Sequence, residues 1–170
     1  MKPEPAFDLI RFLLEVNSRK IRYLLIGRWA VAQYGAPVVT ADFDFWVAPQ
    51  DRKRFLDLLE ETFEAELPDL PARKRPFSRV YVGPDQIDCF SHRRIINREG
   101  EELVFDEVYG RCQKKQDPEG TFFVTVPSLD DLIALKKFDV PDPLKQQRNL
   151  EDIRFLLTLK NTVRGKARRR

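Results

Sequence analysis

Hydrophobic residues recur at helical spacing in FDLIRFLLEVNS (7–18), where Phe7, Ile10, Phe12, Leu13, Leu14 and Val16 predict an amphipathic helix. IRYLLI (21–26) is a short apolar run that stops at Gly27, the pattern of a buried strand. From Arg28 to Tyr34 the pattern returns to a helix, which Gly35 closes before Pro37 forces an extended exit. ADFDFWV (41–47) then alternates: Phe43, Phe45 and Val47 share one side of a strand, and Asp42, Asp44 and Trp46 share the other. A helix follows over 51–64, with Phe55, Leu58, Leu59 and Phe63 on one side, and the Pro-rich stretch 68–76 reads as a loop.

Two strands are predicted at 78–82 and 86–91, joined by the turn Gly83-Pro84-Asp85. Strand patterns recur at 103–108 and 121–126. Ser128 and Asp131 form a capping box that opens a helix, and Asp142-Pro143 reads as an N-cap followed by Pro at the first helical position, opening a last helix to about Lys160. This order of elements predicts an α+β fold. It forms one domain over 1–163, with a core at about 20–127 and C-terminal helices at 128–160.

Composition narrows the function classes. The 170 residues include 42% hydrophobic positions and 13 Phe, enough for a sizeable core. No apolar run approaches the ~18–20 residues needed to cross a bilayer, and the N-terminus lacks a signal-peptide pattern, so a cytoplasmic protein with no membrane partner is expected. Cys89 and Cys112 have no CxxC spacing, which argues against a disulfide framework or zinc site. His92 is the sole histidine, expected at the surface, and no Gly-x-Ser-x-Gly elbow accompanies it. Cys89, Trp29 and Trp46 are expected in core or rim packing. The net charge of +3 is misleading: residues 164–170 carry five positive charges, leaving the body two negative. That basic tail is expected to be disordered, with a nucleic-acid contact as its functional reading.

Three features in order suggest chemistry. A strand ends in Gly27 and turns into a helix, whose first amides can face an anion. About 15 residues on, Asp42 and Asp44 lie on one side of a strand, Cα atoms ~6.5–7 Å apart, suited to a hard cation. Asp88 is the carboxylate inside the later apolar strand Gln86-Ile-Asp-Cys-Phe90.

On these residues the stretch YLLIGRWAVAQYGAPVVTADFDFWV (23–47) resembles the signature of the nucleotidyltransferase superfamily, the group related to DNA polymerase beta, and especially its minimal and AbiEii-type bacterial members. Gly27, Gly35, Thr40, Asp42 and Asp44 match the motif, and Ile87-Asp88-Cys89-Phe90 is similar to the third-carboxylate strand. PSLDDLIALKKF (127–138) followed by RNLEDIRFL (148–156) resembles the family's C-terminal part, a Lys-bearing helix before an Arg/Lys-x-x-Asp helix.

The resemblance implies a mixed sheet with flanking helices and a C-terminal helical element. It implies that Asp42 and Asp44 bind Mg2+ (or Mn2+), and that Asp88 both ligates metal and activates an acceptor hydroxyl. Gly27, Arg28, Thr40 and Lys136 would stand at a nucleoside triphosphate such as ATP. The acceptor would be a protein, an RNA such as tRNA, or a small molecule such as an aminoglycoside, with a toxin–antitoxin setting among the family's contexts. Lys136 has a second reading, a solvent-facing helix lysine. Arg28 departs from the motif, which has Gly or Ser there: its side chain either obstructs the triphosphate or binds phosphate itself. The first alternative makes the chain a binding module without chemistry.

Overall fold

A computed structural model describes residues 6–138 and 141–168. Its centre is a four-stranded mixed sheet in the order β1-β2-β4-β3, built from β1 (Tyr23–Ile26), β2 (Phe43–Val47), β3 (Phe77–Val82) and β4 (Asp85–Phe90). β2 and β4 run parallel in the middle, and β1 and β3 flank them antiparallel. Two small antiparallel pairs complete the β-structure: β5 (Arg94–Ile96) with β6 (Glu102–Val104), and β7 (Gln113–Gln116) with β8 (Phe123–Val126).

Alternation along β2 decides which layer each residue meets. Phe43, Phe45 and Val47 enter the main core with Phe12, Leu13 and Val16 of α1 (Leu9–Ser18) and Phe55, Leu58 and Leu59 of α3 (Arg52–Phe63). Trp46, on the opposite face, joins a second cluster with Leu24, Leu103, Phe105 and Val108. Between β1 and β2 lies α2 (Gly27–Gln33).

The capping signals act as their chemistry dictates. Ser128 Oγ accepts from the Asp131 amide at 3.2 Å at the start of α6 (Leu129–Lys136), and Asp142 Oδ1 accepts from the Leu144 amide at 2.9 Å at the start of α7 (Pro143–Ala167).

Four expectations need correction. The stretch 103–108 is not one strand: β6 ends at Val104 and α5 (Phe105–Gly110) begins, with Phe105 and Val108 on one buried side and Asp106 and Glu107 in its first turn. The 68–76 loop contains a helical turn, α4 (Leu70–Arg73), because Asp69 accepts from the Ala72 amide at 2.9 Å. β5 and β7 were not expected: β5 spans three residues, and β7 is the polar run Gln-Lys-Lys-Gln, so neither carries an apolar alternation. The basic tail is helical as far as Ala167, where Arg164 and Lys166 in the last turn suit the negative end of the helix dipole. Arg169 and Arg170 lie outside the described residues.

Candidate active site

The parallel register pairs Asp44 with Asp88 and Trp46 with Phe90. Neighbouring strands are about 4.8 Å apart, so the two carboxylates stand side by side on the face opposite Phe45 and Cys89. Cys89 is fully buried, as expected, and burial pushes its thiol up to about 12, so it is inert. On the other side of β2, Ile26 pairs with Asp44, and the chain turns at once into α2 through Gly27. Gly27 has φ +67°, and a Cβ there would overlap the Asp44 carboxylate, so both backbone conformation and space require glycine.

These residues line one cleft of about 650 Å³, within the size range of nucleotide-sized pockets. All the sequence-predicted site residues border it: Gly27, Arg28, Thr40, Asp42, Asp44, Asp88 and Lys136. Its lining also includes the apolar Ile26, Phe90, Ile95, Leu135 and Phe138. His92 borders the cleft rather than open surface; its carbonyl accepts from Trp46 Nε1 at 2.8 Å, and its own Nδ1 is buried without a hydrogen-bond partner among the described residues. Trp46 is core as expected, and Trp29 stacks on Phe43 at 5.2 Å.

The acidic floor is electrostatically crowded. Asp44 is raised to about 6, first by burial and then by Asp88 and Asp42, against the lowering influence of Lys136 and Lys145. A carboxylate so placed gains from a nearby positive charge. Asp88 has a counter-ion of its own. Arg79 of β3, its cross-strand partner, grips both its oxygens, Nε to Oδ1 at 2.8 Å and Nη2 to Oδ2 at 2.9 Å. With its amide oxygen turned toward Arg79, Gln86 accepts from the same two nitrogens at 3.1 and 3.2 Å. Among the described residues no three His, Cys, Asp or Glu side chains form a metal-holding group. Asp88 is thus held by a guanidinium.

The opposite wall is cationic. Arg28 Nη2 lies 3.4 Å from Asp152 Oδ1, and Lys136 Nζ lies 2.8 Å from Asp152 Oδ2 and 3.4 Å from Asn149 Oδ1. Asp152 is 2% exposed and Lys136 6%, so Lys136 is not the solvent-facing lysine of its second reading. Arg28 therefore spans from α2 to α7, while its Nε is buried without a partner among the described residues. Lys145 and Arg148 of α7 also face the cleft.

Sequence reasoning missed Arg79, Asp152, Lys145 and Arg148. Asp152 sits in the RNLEDIRFL segment, four residues rather than three after Arg148. Arg79 was recoverable from the hairpin: a two-residue turn pairing Val82 with Asp85 sets Arg79 opposite Asp88.

No family model matches the chain, and no curated protein does. Solved structures do. The lincosamide antibiotic adenylyltransferase LnuA, lincomycin-bound, is 15% identical with a TM-score of 0.59, covering 89% of this chain and 95% of its own. ANT(2")-Ia in complex with adenylyl-2"-tobramycin is 16% identical at a TM-score of 0.56, over 92% and 94%. TM1012 of Thermotoga maritima, which carries the name nucleotidyltransferase, is 13% identical at 0.53, over 94% and 90%. The α+β architecture, with its mixed sheet, flanking helices and C-terminal helix, is thus the nucleotidyltransferase fold; none of these neighbours carries the AbiEii name.

Proposed function

We propose that this protein transfers a nucleoside monophosphate from a nucleoside triphosphate, ATP first among those to test, to an acceptor hydroxyl, with Mg2+ or Mn2+. The observation that carries the reading is one cleft in which adjacent carboxylates on two parallel strands face a wall of cations. Asp42 and Asp44 would hold the ion, which when bound offsets charge on the triphosphate. Gly27 leaves room beside Asp44, and Thr40 borders the same part of the cleft. Arg28, Lys136, Lys145 and Arg148 attract the phosphates, and the unpartnered Arg28 Nε has a donor to give them. The acceptor oxygen attacks the α-phosphorus and forms an O–P bond as the bond to the bridging oxygen breaks. Pyrophosphate leaves with that electron pair, and Asp88, beside Asp44, takes the hydroxyl proton.

The acceptor is a protein, RNA or small-molecule hydroxyl. The structures with adenylyl-2"-tobramycin and lincomycin support a small polyhydroxylated molecule as the first class to test. A cytoplasmic setting follows from the substrate, and among the described residues no helix is long and apolar enough to cross a membrane. A toxin–antitoxin setting and a nucleic-acid contact through the basic end of α7 belong to the RNA-acceptor form of the proposal.

The second reading, a module that binds without transfer, draws on Asp88 being held by Arg79 and Arg28 by Asp152. Incubation with α-labelled triphosphates, Mg2+ and a cell lysate separates the two. Transfer predicts label on an acceptor, abolished by chelator and by Asp44→Asn. Absence of label together with triphosphate binding unchanged by chelator would leave the binding module.

A further inference from the structure

Asp152 holds two cations unequally. Lys136 Nζ lies 2.8 Å from its Oδ2, an ion pair by distance rather than an aligned hydrogen bond, and Nζ also donates to Asn149 Oδ1 at 3.4 Å. Arg28 reaches Oδ1 through Nη2 alone, at 3.4 Å, and its Nε is buried without a partner among the described residues. A charge-assisted bond between guanidinium and carboxylate is ordinarily about 2.7–2.9 Å long, and the fork commonly engages both oxygens. Arg79 meets that standard on Asp88, with Nε and Nη2 at 2.8 and 2.9 Å. Arg28 does not, so its contact is not the grip of a structural strap. The charges point the same way. Two cations share one carboxylate, which leaves a positive charge in excess among side chains 23% (Arg28), 7% (Lys136) and 2% (Asp152) exposed. Such a surplus costs stability until an anion offsets it.

We infer that Arg28 is the exchangeable cation of an anion site that needs no divalent ion: a pyrophosphate-type anion in the cleft takes Arg28 from Asp152, and Lys136 stays behind as the counter-ion of Asp152. Arg28 and Lys136 border the cleft together with Lys145 and Arg148. An anion with several oxygens engages Nε and an Nη of one guanidinium together, which Asp152 does not do. Lys136 is the cation that remains, because it lies closer to Asp152 and is the more buried of the two. Asp152 is then a positioning residue that keeps Arg28 beside the site and competes with the anion for it. This deepens the nucleotidyl-transfer reading and rests on it for the choice of pyrophosphate, the group that such a transfer releases.

The test is calorimetric titration of the full chain with sodium pyrophosphate in excess chelator, with NMR of the arginine Nε–H groups as a second readout. Wild type should bind, and the Arg28 Nε–H signal, identified by its loss in Arg28→Gln, should shift on saturation. Arg28→Gln should weaken binding about tenfold or more, the fold-change of a lost charged hydrogen bond. Asp152→Asn should tighten binding about threefold or more, because Arg28 is no longer held back. The same change in an Arg28→Gln background should alter affinity less than about twofold. A loss of affinity in Asp152→Asn would make Asp152 a support of Arg28 rather than its competitor, and an equal gain in both backgrounds would make it a general repulsive charge; either overturns the inference. So does an Arg28 Nε–H signal unmoved by saturating pyrophosphate, a result that wild type supplies even if Asp152→Asn does not fold. Absence of pyrophosphate binding in chelator overturns it as well, whether or not transfer of label is seen. Binding with the expected ratios but no transfer supports the exchange and removes the nucleotidyl-transfer reading alone.

Discussion

Phe45 packs against Phe12, Phe55 and Tyr23 at ring-centroid distances of 5.3, 5.4 and 5.9 Å, whereas Asp44, one residue back, faces Gly27 and Asp88 in the cleft. The same strand thus has one face completed by its neighbours and one face left with excess charge. Edge-to-face and tilted ring contacts satisfy Phe45 within the chain. Asp44 meets two other acids, and the nearest cations, Lys136 and Lys145, only partly offset them. A stable fold does not require that arrangement, and it costs stability until something positive arrives. The difference between the two faces is therefore a division between folding and ligand.

The largest effect should come from breaking the apolar face. Phe45→Ala removes a fully buried ring from the junction of α1, α3 and the sheet, and should cost ~3–5 kcal/mol through the cavity left behind. Urea unfolding measures it. A loss below about 1 kcal/mol would mean that the core does not depend on this face, and the comparison would collapse.

Next comes the boundary between the faces, Gly27. An alanine must hold φ near +67°, which costs an L-residue about 1–2 kcal/mol, and its Cβ overlaps Asp44. Gly27→Ala should therefore destabilise by roughly 1–3 kcal/mol and weaken triphosphate binding. A double-mutant cycle with Asp44→Ala sharpens the point, because the second change removes the overlap but not the backbone strain. A coupling near zero would show that Gly27 and Asp44 do not crowd each other.

Much of this was legible in the sequence, for a physical reason. Period-two alternation in 41–47 set Phe43, Phe45 and Val47 against Asp42 and Asp44, and the turn at Gly83-Pro84 marked the β3–β4 hairpin. Local signals such as Ser128 and Asp142 placed helix starts because a cap acts within three residues. The bridges from Arg28 of α2 and Lys136 of α6 to Asp152 of α7 depend on how distant elements dock, which no periodicity encodes. The same limit hid β7, whose Gln and Lys residues are held in place by pairing with β8 rather than by burial. Arg79 lies between these cases: the turn fixed its register opposite Asp88, but only the finding that Asp88 is a buried acid gives that register a meaning.

The smallest effect, and the one most specific to the polar face, is the pH dependence set by Asp44. Its folded-state pKa is raised from 3.8 to about 6, so the folded protein binds this proton more tightly than the unfolded chain does. The sign follows: the penalty is fully present above pH 6, shrinks as pH falls through 6, and is gone below the unfolded value. Between pH 7 and pH 5 the metal-free protein should gain roughly 1 kcal/mol from this group, at about 1.4 kcal/mol per pH unit once titration is under way. Asp44→Asn should be as stable as wild type or more so at pH 7 and should lose the gain on acidification, whereas a Phe45→Ala protein, though weaker throughout, should keep it. Saturating Mg2+ should reverse the trend in wild type, because a bound ion favours the ionised carboxylate and acid then expels it. Chemical denaturation at pH 5, 6 and 7, with and without Mg2+, reads all of these outcomes. An Asp44→Asn protein with the wild-type pH profile would assign the crowded charge to another group, and a large loss of metal-free stability in that variant would place Asp44 with Phe45 among the residues that hold the fold.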